Sequence, residues 1–254
     1  MKDPAAPHHS QARGGPLQRG RSSPLRAVLF DMDGTLVETE ELWGEAMGAL
    51  ARQLGGAFSE EARERTVGTS MTVAMGILYA DLGVQRTAEQ LGDDARWVED
   101  ETAALMASRG MPWRPGAREL LTAVRSAGVP TALVTTTPRR IAAIVLDRIA
   151  AEFGGSPFDV TVCGDEVPAR KPDPSPYLQA MAVLGVEPGS SVVIEDSLVG
   201  VTAGLAAGAA VLGVPSLQPL EPRAGVVLAD TLAGLSVADL ADLVPDEARV
   251  EASA

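Results

Sequence analysis

Short runs dominated by apolar residues recur along the chain at 27–30, 131–134, 158–162, 191–194 and 210–214. None shows the in-out alternation of a half-exposed strand, so each predicts a strand covered on both faces. Helix-period patterns lie between them at roughly 116–127, 138–149, 174–184 and 198–207. The first opens at Pro115-Gly116 and stops at Gly128; the second takes Thr137 as its expected cap and Pro138 as its first residue. Strand and helix in alternation predict an α/β fold, a doubly wound parallel sheet of Rossmann-like design.

Residues 38–112 break that rhythm and offer no convincing strand. Trp43, Met47, Leu50 and Leu54 are spaced as one stripe of an amphipathic helix, as are Met71, Met75, Leu78 and Leu82, and again Leu91, Ala95 and Val98. The pattern predicts an α-helical cap inserted after the first strand. The catalytic core would then comprise 26–37 plus 113–254, with joints at Leu36–Thr39 and Gly110–Pro115.

Composition narrows the class. The chain has 254 residues, enough for one sizeable core. A net charge of −13 disfavours a nucleic-acid partner or an anionic membrane surface. Residues 1–25 are rich in Pro, Gly, Ser and Arg without an apolar stretch, and predict a disordered tail carrying His8 and His9, the only histidines. The single cysteine, Cys163, fits a reducing, cytoplasmic setting and lies in an apolar run that predicts a buried, inert thiol. Residues 197–220 carry no charge, but Glu195 and Asp196 abut them and Pro215 interrupts them. Gly200, Gly204 and Gly208 there predict a glycine-faced helix lying close on the sheet rather than a membrane span.

Ligands of open parallel sheets bind beyond the carboxyl ends of the strands. Asp31-Met32-Asp33-Gly34-Thr35 leaves the first strand, Thr135-Thr136-Thr137 the second, and Glu195-Asp196 the fourth; Lys171 lies in the loop after the third. Two carboxylates two residues apart can divide a phosphoryl transfer between nucleophile and proton carrier. Gly34 permits a tight turn and offers a donor to an anion, as do Thr135 and Thr136. Arginine is the default basic residue here, and the only lysines are Lys2 and Lys171, which singles out position 171. Each group has an ordinary alternative: a turn threonine, a surface lysine, a helix-capping aspartate. Four together at strand ends favour function.

Asp31-Met32-Asp33-Gly34-Thr35-Leu36-Val37, Thr135, Lys171 and Glu195-Asp196-Ser197 resemble the four ordered motifs of haloacid dehalogenase-like hydrolases. Their spacing matches the subgroup with a helical cap after the first motif, which includes β-phosphoglucomutases and small-molecule phosphatases. Glu38 stands where the family commonly has Asp. The resemblance implies Asp31 as nucleophile, Asp33 as general acid and then base, and Lys171 and Thr135 as ligands of the phosphoryl oxygens. So many acids around a phosphate need a cation. With only oxygen donors present, Mg²⁺ is expected on Asp31, the Asp33 carbonyl and Asp196, with Glu195 as direct ligand or support. In the cap, Gly68 and Thr69 lie in a loop placed to select substrate, Arg65 is a candidate for an anionic substrate group, and the Gly68 loop reads equally well as a turn capped by Ser70.

The implied activity is Mg²⁺-dependent hydrolysis of small phosphate monoesters, sugar phosphates first, with a small phosphorylated metabolite as the only expected partner. The mutase alternative requires a cap histidine about twelve residues after the nucleophile, where this chain has Trp43. A non-catalytic phosphometabolite-binding module is the second alternative, and the intact Asp31, Asp33, Lys171 and Asp196 speak against it.

Overall fold

A computed structural model describes residues 25–245. The expected tail, with His8 and His9, lies outside those residues except for Leu25, which is buried in the core. Six strands form one parallel sheet: β1 (Ala27–Phe30), β2 (Thr131–Val134), β3 (Val160–Val162), β4 (Ser191–Glu195), β5 (Ala210–Gly213) and β6 (Val226–Leu228). Their order is β3-β2-β1-β4-β5-β6. The chain winds outward from β1 through β2 to β3, then returns to the other side of β1 with β4, so a topological switch point lies between β1 and β4. Successive residues of β1 feed opposite cores: Val28 and Phe30 join one apolar cluster, Ala27 and Leu29 the other. Both faces are covered, and for that reason the strand reads as an unbroken apolar run.

Four helices separate β1 from β2's own supporting helix: α1 (Glu40–Gln53), α2 (Glu60–Thr66), α3 (Met71–Leu82) and α4 (Ala88–Arg109). Met47, Leu50, Met75, Leu78 and Val98 are buried as their spacing predicts, with Trp43, Leu54, Met71 and Leu82 partly so. The stripe on α4 is rotated from its expected position: Asp94 is buried, while Leu91 and Ala95 are only half-buried. Asp94 can be buried because Arg86 grips both its oxygens at 2.7 Å and Tyr79 donates to it at 2.9 Å. The two connections run together. Glu38 N donates to Pro112 O at 2.9 Å, Arg114 N to Leu36 O at 2.9 Å, and the Arg114 guanidinium binds Glu38 at 2.7 Å. Glu38, the small departure from the family pattern, thus serves as an anchor for these crossing segments.

The remaining helices are α5 (Ala117–Ser126), α6 (Arg139–Phe153), α7 (Ser175–Leu184), α8 (Leu198–Ala206) and α9 (Val237–Leu243). Two expectations are corrected. Pro138, not Thr137, occupies the cap position of α6, and the Thr137 hydroxyl turns into the site instead. β6 and α9 were not expected, because β6 is a three-residue edge strand with an exposed middle residue and too short to show a period. The glycine-faced α8 lies on β4 and β5 as predicted: a methyl group at Gly204 would meet Val193 at 3.0 Å and Val211 at 3.1 Å. Gly204→Val therefore overpacks this layer and should cost about 1–3 kcal/mol, or roughly 3–10 °C in Tm. Thermal denaturation reads the loss; an unchanged Tm would contradict the close packing of α8.

Candidate active site

The carboxyl ends of β1, β2 and β4 are neighbours, and they bring the separated motifs together. Asp31 follows β1 directly, and Glu195 is the last residue of β4. Lys171, from the loop after β3, is 5% exposed and reaches between them. Its ammonium donates to Asp31 Oδ1 at 2.7 Å, Glu195 Oε1 at 2.6 Å and the Val134 carbonyl at 2.8 Å, which uses all three of its protons. Tyr177 of α7 lies beneath, its ring 4.9 Å from the ammonium and its hydroxyl donating to Glu195 Oε1 at 2.7 Å. The other Glu195 oxygen accepts from Asp196 N, Ser197 N and Ser197 Oγ at 3.0–3.3 Å. Both Glu195 oxygens are therefore committed. Its carboxylate rests on Gly200, where any side chain would collide with it.

Asp196 is different. One oxygen accepts from Thr35 Oγ1 at 3.3 Å, while the buried Oδ2 has no hydrogen-bond partner among the described residues. Gly34 lies against that oxygen, with a positive φ of 77° and so little room that a methyl group would sit 2.1 Å away. The Gly34 amide donates to Val37 O at 2.8 Å inside the turn, which corrects its expected place as a donor to an anion; it contributes shape. Asp31, Glu195 and Asp196 each bring a carboxylate oxygen within 4.8 Å of the others. Three buried carboxylates against one ammonium, with an orphaned oxygen among them, fit a hard divalent cation bound by oxygen.

Asp33 faces the helical insertion rather than Lys171. Thr39 Oγ1 at 2.5 Å and Trp43 Nε1 at 3.3 Å donate to one oxygen; Thr137 Oγ1 at 2.7 Å and Thr135 Oγ1 at 3.4 Å donate to the other. Thr39 and Thr137 were missed in the sequence, the first as a joint residue and the second as a helix cap. Tyr177 gave no signal, being one apolar position among others on its helix.

A cavity opens over Asp33 between insertion and core, lined among others by Trp43, Met47, Met71, Gly68, Thr69 and Thr136. Gly68 and Thr69, the candidates for substrate selection, line it together with Trp43 and with Thr136, which was expected as a donor to the anion. Gly68 presses on Ser197, and its carbonyl accepts from Thr136 Oγ1 at 3.5 Å. Ser70 does precede α3, but its side chain makes no capping bond. Arg65 is exposed and does not line the cavity, so the expectation for it is corrected. Arg63, two residues earlier on α2, lines it instead. Glu40 also lines it and accepts a hydrogen bond from the Gly68 amide.

Charge crowding is visible in the titration of the buried groups. Burial pushes the Asp31 carboxyl up to about 7, and the Glu195 charge adds to this, while Lys171 opposes it. Asp196 is raised well above the carboxylate range by burial and then by Asp31 and Glu195. Burial disfavours the Lys171 charge, but Asp31 and Glu195 outweigh it and raise its pKa. Cys163 is buried and its thiol is pushed up to about 12, as an inert thiol should be. A carboxyl whose folded pKa lies above its unfolded value stabilises the fold below the unfolded pKa and loses that contribution as pH rises through the folded one. Metal-free protein should therefore lose Tm between about pH 4 and pH 7, with a divalent cation restoring more Tm at pH 8 than at pH 5. Melting curves with and without chelator check this; equal cation effects at both pH values would contradict it.

Residues 25–208 match the sequence profile of haloacid dehalogenase-like hydrolases. The chain is 37% identical to the phosphorylated carbohydrates phosphatase of Thermotoga maritima over 184 residues, covering 72% of this chain and 82% of the relative. It is 31% identical to the validoxylamine A 7'-phosphate phosphatase of Streptomyces hygroscopicus subsp. limoneus, covering 81% and 93%. The crystal structure of CbbY from Rhodobacter sphaeroides in complex with phosphate superposes with a TM-score of 0.73 at 30% identity, over 85% of this chain and 99% of that one. By sequence, by fold and by the order of its strand-end residues, this chain belongs to the haloacid dehalogenase-like hydrolases.

Proposed function

We propose that this protein is a Mg²⁺-dependent phosphatase that hydrolyses small phosphate monoesters through a phosphorylated Asp31. The observation that carries the reading is the buried set of Asp31, Glu195 and Asp196 with Lys171 as its one ammonium, beside a second carboxylate, Asp33, that opens on a cavity. Relatives named as phosphatases of phosphorylated carbohydrates and of validoxylamine A 7'-phosphate support the substrate class.

Asp31, the Asp33 carbonyl and Asp196 would hold the metal, with Glu195 fixing Lys171 behind them because its own oxygens are already committed. When bound, the ion supplies charge neutralisation on the transferring phosphoryl group. The protein's residues do the rest. Lys171 keeps Asp31 Oδ1 in place, so the carboxylate attacks phosphorus along a fixed direction while the ester P–O bond breaks. Asp33 gives its proton to the departing alkoxide oxygen. It then takes a proton from water, whose oxygen attacks phosphorus and breaks the acyl-phosphate bond, releasing inorganic phosphate and restoring Asp31. Thr39, Trp43, Thr135 and Thr137 hold the Asp33 carboxyl for both transfers. The Thr136 hydroxyl and the Gly68–Thr69 loop close the cavity around the leaving group and limit water entry.

Trp43 favours water over a second sugar as acceptor. Its indole N–H already engages Asp33 from the position where a mutase needs a histidine, and it cannot titrate. Phosphate release from p-nitrophenyl phosphate and a panel of sugar phosphates tests the proposal. Wild type should depend on Mg²⁺ and be silenced by chelator; Asp31→Asn should abolish turnover, and Asp33→Asn should lower kcat about 10²–10⁴-fold. Undiminished turnover by Asp31→Asn would overturn the mechanism.

A further inference from the structure

The chain has two tyrosines, and both hydroxyls donate to carboxylates: Tyr79 to Asp94 inside the insertion, and Tyr177 to Glu195 at the site. Tyr177 is fully buried on α7, and its ring belongs to the apolar cluster that includes Leu29, Val134 and Val193. Phenylalanine would fill that space as well, so the hydroxyl has a reason of its own. Its acceptor, Glu195 Oε1 at 2.7 Å, is the oxygen that also accepts from Lys171 at 2.6 Å. Glu195 has two possible uses. Its carboxylate brings an oxygen within 4.8 Å of those of Asp31 and Asp196, close enough to turn toward a cation, or it can face the ammonium. The Asp196 and Ser197 donors hold Oε2 and leave the direction of Oε1 to Lys171 and Tyr177. Lysine is a flexible four-carbon stem, whereas the Tyr177 ring is locked in the core. The phenol is therefore the fixed reference for Oε1. The chain between the two residues is stiff as well: Pro172 and Pro174 restrict the backbone, and Asp173 accepts from the Ser175 amide at 2.8 Å and from the Ser175 hydroxyl.

We infer that Tyr177 is a positioning residue for the phosphoryl transfer: its hydroxyl holds Glu195 Oε1 on the Lys171 ammonium, and through that ammonium keeps Asp31 Oδ1 aimed at phosphorus. The path is continuous from Tyr177 Oη to Glu195 Oε1, Lys171 Nζ and Asp31 Oδ1, in steps of 2.7, 2.6 and 2.7 Å. The ammonium also lies over the Tyr177 ring, 4.9 Å from its centre. The inference rests on the phosphatase reading and deepens it, adding a residue that stands outside the strand-end set. Tyr177 is not among the residues that line the cavity over Asp33, so it has no contact with the leaving group, and its effect falls on the chemical step.

Tyr177→Phe keeps the ring and removes only the hydroxyl. At saturating Mg²⁺ it should lower kcat for p-nitrophenyl phosphate and for sugar phosphates about tenfold, while KM stays within about twofold. A second readout needs no turnover. The only lysines of the chain are Lys2 and Lys171, so in protein made with isotope-labelled lysine and carrying Lys2→Arg, the side-chain ammonium signal in an NMR spectrum belongs to Lys171. With Tyr177 in place that signal should exchange slowly with water, and Tyr177→Phe should shift it and speed the exchange. If the wild type hydrolyses nothing but the Lys171 signal still responds to Tyr177→Phe, the phosphatase reading fails and the tie from Tyr177 to Lys171 stands. An unchanged kcat in Tyr177→Phe, or a lower kcat with the Lys171 signal unmoved, would overturn the inference. So would an unmoved signal in a wild type without activity.

Discussion

The Lys171 ammonium holds this site together. It is the one positive charge among Asp31, Glu195 and Asp196 in the described residues, and it spends its three protons on Asp31, Glu195 and the end of β2. Strands that are neighbours in space but more than a hundred residues apart in sequence are thereby tied at their carboxyl ends. Tyr177 beneath and Gly200 beside the Glu195 carboxylate exist in service of that arrangement: one donates to the carboxylate and the other leaves room for it. One ammonium cannot balance three acids, and the remaining negative charge is what suits the pocket to a divalent cation.

The two motif aspartates, only two residues apart, live in different surroundings. Asp31 points to Lys171 and the acid cluster; Asp33 points to hydroxyls and an indole N–H. A division of labour between nucleophile and proton carrier needs such a difference. Three of the four donors to Asp33 are threonine hydroxyls from two segments, Thr39 on the insertion side and Thr135 and Thr137 after β2, so both sides contribute to holding it.

The sheet was legible in the sequence because buried parallel strands have no polar face and must appear as apolar runs. The strand-end residues were legible because their types and order are dictated by chemistry at the switch point. What escaped has physical causes. β6 is too short for its period to show, and Thr137 sits beside a proline whose own preference for a helix start masks the hydroxyl's use. Arg63 and Arg65 cannot be told apart by type. Only the helix rotation turns the first toward the cavity and the second toward solvent. Asp94 displaced the expected stripe on α4 because pairing with Arg86 and Tyr79 makes a buried carboxylate tolerable, which no hydrophobic pattern records.

A crystal structure grown with Mg²⁺ and beryllium fluoride tests the central claim most directly, because the fluoride complex mimics a phosphoryl group on a carboxylate. The account predicts beryllium bonded to an Asp31 oxygen, Mg²⁺ held by Asp31 and Asp196, and Lys171 still joined to Glu195. Beryllium fluoride absent from Asp31 at saturating Mg²⁺, or bound elsewhere with Lys171 turned to solvent, would contradict it.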